Sequence, residues 1–140
     1  HKPAIVIGSS RLIPRAWHWS NLRHGAPQVH GRYERMHERR MTEEDWAAWI
    51  AMRAVAEALV RFQDNENFSF RNAFIDESFK LDGSKGPILN FRPWNRQLRQ
   101  PIMLSTENWV TSIAPLNSFV HRENNLDTIG MDNKTSKCVN

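Results

Sequence analysis

Four of the six histidines, His18, His24, His30 and His37, follow one another at intervals of six, six and seven residues. Imidazole is a common zinc ligand, but a zinc site needs its ligands at i,i+4 or across a short loop, and no cysteine stands beside these four. That spacing argues against a metal. Cys138 is the only cysteine and lies in a polar stretch, where it offers neither an internal disulfide nor a credible nucleophile. Carboxylates gather at Glu43, Glu44 and Asp45 and again at Asp76 and Glu77. The first group sits where capping charge belongs in a helix, and the second on a solvated helix face. Gly83-Ser84-Lys85-Gly86 follows a helix and has the wrong order and spacing for a phosphate loop, and no nucleophile elbow occurs. The reading is of a chain that is not an enzyme, with no catalytic residue, no metal and no cofactor assigned.

Binding is better represented than catalysis. Six tryptophans in 140 residues is a surplus, and indoles serve both cores and ligand clefts. Trp46 and Trp49 lie in the first turns of the longest helical pattern, where a cleft often opens; Trp46 is the candidate cleft wall, with core packing as the competing and favoured role. Ser9 and Ser10 follow the apolar run at residues 4–7. The carboxyl end of such a buried, parallel-type strand is where open α/β sheets place ligands. A plain strand-ending turn is the alternative.

The elements that must carry these residues are read as follows. Residues 42–62 hold no Gly or Pro, begin with Thr42 as N-cap and three acidic side chains, and predict about six turns of helix. Arg53, Glu57 and Arg61 form an alternating charged stripe at i,i+4. The rest is broadly apolar, which suggests a helix packed on a sheet. Residues 11–19 read as irregular, because Pro14 cannot supply a ladder N–H. Pro27 separates them from a short charged helix at 31–40. Ser69 caps a second helix over roughly 69–79, and residues 81–86 form a turn. Residues 88–92 are a strand candidate. Two β-rich runs, 101–106 and 109–114, flank Glu107-Asn108 as a hairpin. The stretch 122–140 is polar and aperiodic, so it is expected to be loosely held.

The net charge is +4, and its excess is local. Residues 11–40 carry seven arginines against Glu34 and Glu38. With Trp17, Trp19 and Tyr33 interleaved, this segment could act as a small autonomous basic module that contacts nucleic acid or another polyanion. A solvated amphipathic face explains the charge as well, and no nucleic-acid motif accompanies it, so no nucleic-acid partner is expected. No run of 18 apolar residues is present, so no membrane span is expected. The sequence opens at His1, without an initiator Met, directly on the strand-like PAIVIG. The expectation is that an N-terminal part of the protein precedes it.

The words FRPWNRQLRQPI and NNLDTIG, supported upstream by RAWHW, RHGAPQ and MTEEDWAAW, resemble the C-terminal part of a family of periplasmic substrate-binding proteins. That family accompanies pyrroloquinoline-quinone (PQQ)-dependent alcohol dehydrogenase systems and is similar to the larger branched-chain amino-acid-binding family of ABC transport. The resemblance implies an α/β fold class, a partial type 1 periplasmic-binding-protein fold. Its two Rossmann-like lobes would be incomplete here, with a long central helix and a C-terminal β-hairpin. Residues 1–121 would be the C-terminal portion of a two-lobed binder, with 4–8 and 102–114 in the second lobe and 15–95 in the first. Residues 10–14 and 96–101 would be hinge crossings, and 122–140 a tail. It implies a periplasmic protein that grips a small-molecule ligand between lobes and presents it to an ABC transporter permease. Trp46 best matches an aromatic bordering the cleft in that family, with Asp45 and Ser10 as further ligand-binding candidates. Because the family is more than twice as long, some of Trp49, Ile50, Met52, Val55, Ala56 and Leu59 are expected to stand exposed in this chain.

Overall fold

A computed structural model describes residues 11–117 and 121–128. The strand expected at 4–8, Ser9, Ser10 and Cys138 lie outside the described residues. Over the described residues the fold is mixed α/β, with three α-helices and two small antiparallel sheets.

Helix α2 (Glu43–Phe62) forms where its sequence pattern predicts, and its start is a full capping box. The Thr42 hydroxyl accepts the Asp45 N–H at 3.4 Å, and the Asp45 carboxylate accepts the Thr42 N–H at 2.9 Å. Two otherwise orphaned donors are thereby satisfied. Thr42→Ala is expected to cost about 1 kcal/mol, read as a drop of about 2–4 °C in thermal midpoint. Thr42→Asp, which keeps an acceptor, should retain most of it.

Helix α1 (Ala26–His37) starts five residues earlier than expected. Pro27 does not separate it from the preceding chain but occupies the first turn. There a missing N–H costs nothing and the fixed φ suits the helix. Gly25 precedes it at φ +80°, a left-handed turn that admits glycine without strain. Helix α3 (Phe70–Ile75) has Ser69 as its N-cap, as predicted, but ends before Phe79. Asp76 turns extended, and its carboxylate accepts both the N–H and the hydroxyl of Ser78, which closes the turn locally.

One sheet is built from β1 (Ile13–Arg15), β5 (Ile102–Ser105) and β6 (Val110–Ala114), in the order β1-β5-β6. The β5–β6 hairpin matches the sequence expectation. Strand β1 corrects the irregular reading of 11–19. It lies at the sheet edge with Pro14 opposite Leu104, and an edge strand tolerates a residue without a donor. The other sheet joins β2 (Leu81–Asp82), β3 (Ile88–Phe91) and β4 (Leu98–Arg99). The two stretches read as hinge crossings thus contribute strands β1 and β4.

The core lies under α2, which turns Trp46, Ile50, Ala54 and Ala58 inward at strict i+4 spacing, toward α3 and β2. Trp17 stacks on Trp46 with centroids 6.1 Å apart and planes 9° from parallel. Phe79, Leu81, Leu89 and Met103 are fully buried, and Phe74 and Phe91 pack against Phe79. The apolar arc of α2 is wider than this core uses. Ile50 is buried and Trp49 and Val55 are half-buried, but Met52 (69% exposed), Ala56 and Leu59 face outward with Val60 (75% exposed), as the sequence led us to expect.

The segment expected to be a loose tail is anchored at its start. A 3₁₀ turn, Asn125–Asp127, buries Leu126 and Asp127. The Asp127 carboxylate accepts from Arg92 Nε at 2.6 Å and from Arg99 Nε at 2.9 and 3.0 Å. Polar composition concealed this anchor because its partners lie 28 and 35 residues upstream.

Candidate functional site

Helices α1 and α2 meet through the short connection at 38–42, and between them opens a cleft of about 570 Å³. That is within the range of small-molecule sites. From α1 come Val29, Arg32, Tyr33 and Met36, at the i, i+3, i+4, i+7 spacing of one helical face. From α2 come Asp45, Trp49 and Arg53, each one turn after the last. His24, Asp82 and Ser84 close the end nearest Gly25.

The aromatic walls are braced by cations. The Arg53 guanidinium lies 5.2 Å from the centre of the Trp49 ring, and that of Arg39 5.0 Å from Tyr33. His37 packs on Tyr33 at 4.4 Å. Such contacts favour ring orientations without filling the space between the walls.

Of the sequence candidates, Asp45 lines this cleft. Its carboxylate forms two parallel bonds with Arg39, at 2.6 and 2.8 Å. The Arg39 guanidinium and then the Thr42 N–H hold Asp45 well below the usual carboxylate range. Asp45 is therefore an ionised fixture of the wall whose charge is matched inside the protein.

Trp46 is placed elsewhere. It is 1% exposed and its indole N–H donates to the Gly83 carbonyl at 3.2 Å. A Cβ on Gly83 would come within 2.4 Å of Leu89 Cδ1 and 3.3 Å of the Trp46 ring, so a larger residue would have to displace the Leu89 side chain. Trp46 takes the core role, and Trp49, one turn on, is the tryptophan that borders the cleft. Ser10 lies outside the described residues.

Lys85, read in the sequence only as part of a turn, is 1% exposed and lies against the core residue Trp46. Its ammonium donates to the Ala16 carbonyl and to Gln100 Oε1 (2.6 Å), and lies 4.0 Å from the centre of the Trp46 ring. The two hydrogen bonds and the cation–π contact come from three separate parts of the chain. Burial nevertheless pushes its pKa down to about 7, with Glu43 opposing weakly.

The histidines are used singly. His18 is buried, and burial lowers its pKa. Its Nε2 meets the Glu107 carbonyl at 3.2 Å and must donate there. Nδ1 is then left to accept from the Ser20 N–H and hydroxyl. The Ser20 oxygen in turn accepts the Val110 N–H. This set of bonds fastens residues 18–20 to the β5–β6 hairpin and uses both ring nitrogens structurally. His30 packs against Trp19, while His24 and His37 reach the cleft rim.

The basic segment is partly consumed by the fold. Arg15 pairs with Glu43, Arg39 with Asp45, and Arg40 lies 3.6 Å from the centre of the Trp19 ring. Of the cleft residues Arg32, Tyr33, Trp49 and Arg53, the sequence points to Trp49 only beside Trp46 as lying where a cleft opens and to Tyr33 only within the basic segment; it does not single out Arg32 and Arg53 as a site. The available signal was the i, i+4, i+7 spacing of Val29, Tyr33 and Met36 on one face. Starting the helix at Gly31 hid it.

Comparison with protein-family models, curated proteins and solved structures finds no match to this chain.

Proposed function

We propose that this chain is a solute-binding element that holds a small organic molecule in the cleft between α1 and α2 and performs no chemistry on it. The observation that carries this reading is the cleft itself: about 570 Å³, walled by Tyr33 and Trp49 on facing helices, each ring braced by a cation. Concave, partly apolar walls with a few fixed polar groups are the usual form of a small-ligand site. The resemblance of FRPWNRQLRQPI and NNLDTIG to the periplasmic binders extends the reading. It supports a role as the substrate-binding component of an ABC-type importer, linked to PQQ-dependent alcohol oxidation, in which this chain carries part of a two-lobed, type 1 binding fold. Ligand delivery would then depend on binding one arrangement of the lobes better than the other.

Titration of ¹⁵N-labelled protein with a fragment set of small acids, amides and amines tests the core of this proposal. Shift changes are expected to cluster on Val29, Arg32, Tyr33, Trp49 and Arg53. Trp49→Ala should weaken the binding of any such hit by about tenfold or more. The same variant should cost little stability, since Trp49 is only half-buried. Hits that scatter over the surface, or that bind Trp49→Ala unchanged, would remove the cleft as the site. For the transport role, a gene neighbourhood holding neither an ABC permease nor a quinoprotein dehydrogenase would count against it.

A further inference from the structure

The charges around the cleft are unbalanced in a way that selects among ligands. Arg32 on α1 and Arg53 on α2 both line it. Among the described residues neither forms an ion pair. For Arg53 the reason is visible in the sequence pattern. Glu57, its i+4 neighbour, pairs instead with Arg61, and the Arg53 guanidinium is left beside Trp49.

The opposing carboxylates are two. Asp45 is neutralised by the two-pronged bond from Arg39, and Asp82, at the rim, accepts the Ser84 N–H at 2.8 Å. The cleft therefore keeps two cations against one partly occupied anion, next to an apolar floor of Val29, Met36 and Met41. A cationic ligand would meet Arg32 and Arg53 with Asp82, already an acceptor for Ser84, as its acidic partner in the lining. A neutral one would leave both guanidiniums unused. A bare inorganic anion would leave the aromatic and apolar wall unused.

Resting on the cleft reading above, we infer that the ligand is an amphipathic organic acid, its carboxylate between Arg32 and Arg53 and its apolar body against Trp49 and Tyr33. Guanidinium forks match carboxylate oxygens in geometry, and such charge-assisted bonds are about twice as strong as neutral ones. An aromatic or branched aliphatic body suits the walls, because a planar group can stack on Trp49 while the Arg53 stem covers it.

The test uses the described chain with four probes: benzoate, benzamide, benzylammonium and inorganic phosphate, followed by calorimetry and by ¹⁵N shifts. Benzoate is expected to bind about tenfold or more tighter than benzamide and to weaken as salt is raised. Benzylammonium and phosphate should bind worse than either. Arg32→Gln combined with Arg53→Gln should erase the benzoate preference. Both arginines are exposed, so thermal melting should be nearly unchanged, and a preserved melt confirms that the variant is folded. If benzamide binds the cleft as well as benzoate, or if the double variant keeps the preference, the acid inference is overturned while the cleft reading stands. If phosphate equals benzoate, the apolar half is overturned. If none of the four moves a cleft resonance, the inference falls together with the cleft reading.

Discussion

Asp127→Ala is expected to lower the unfolding free energy by about 3–5 kcal/mol, because it strands two guanidiniums in a nearly dry environment. Asp127 has no exposed side-chain surface, and Arg92 and Arg99 are 7% and 12% exposed. Arg92 also donates to the Leu126 carbonyl, and Arg99 to Asn90. Removing the carboxylate takes away the anion that both cations share, while both side chains stay largely buried. Burial alone would raise the Asp127 pKa. The Arg99 and Arg92 guanidiniums outweigh it and hold the group below its ordinary value. The folded state therefore binds this proton less readily than the unfolded chain does. The stabilisation is complete above about pH 4 and is lost as pH falls through the lowered folded value. Urea unfolding at pH 7 and at pH 3 should show a wide gap between wild type and Asp127→Ala that narrows on acidification. A variant within about 1 kcal/mol of wild type at pH 7 would mean that the cluster contributes no more than a surface pair.

The second large effect concerns Lys85 and falls in the neutral-to-alkaline range, with the same sign: stability again rises with pH. Its folded pKa is depressed to about 7 from 10.5. Between those values the unfolded chain holds a proton that the folded protein releases, so stability rises with pH across that window. The rise is at most about 1.4 kcal/mol per pH unit. Below pH 7 both states are protonated, and the folded state carries the full cost of a buried ammonium. Lys85→Met removes the titrating group but keeps most of the volume. Denaturant unfolding from pH 7 to 10 should show wild type gaining stability relative to Lys85→Met. Other groups titrate in the same range, which makes the difference between the two proteins the measured quantity. Parallel curves would show that Lys85 keeps its proton through the whole range, held by the Ala16 carbonyl, Gln100 and the Trp46 ring.

What the sequence disclosed and what it withheld divide along the range of the interactions. The start of α2 was legible because Thr42 and Asp45 complete their bonds within four residues, and the β5–β6 hairpin because both strands and their turn are contiguous. Pro27 and Pro14 misled for a shared reason. Each was read as a break, yet one sits in a first helical turn and the other on a sheet edge, the two contexts where a missing N–H is harmless. Lys85 looked like a turn residue and Asp127 like part of a tail. Their partners lie far off in sequence, and no local pattern encodes a distant acceptor. The cleft was hidden similarly. Trp46 was favoured over Trp49 by its position at the helix start, but which tryptophan turns inward is decided by Gly83 and Trp17.

The pairing of β1 with β5 also sets an order of events. The β5–β6 hairpin closes a loop of a few residues, a microsecond step with little chain entropy to overcome. Strand β1 must find β5 across the whole helical part of the chain, and that search is repaid only once the hairpin edge exists to receive it. During the interval β5 presents an open row of backbone donors and acceptors. An unpaired edge of that kind is where a second chain can substitute for β1. The vulnerable moment for this protein is thus late in folding, and it should grow with chain concentration.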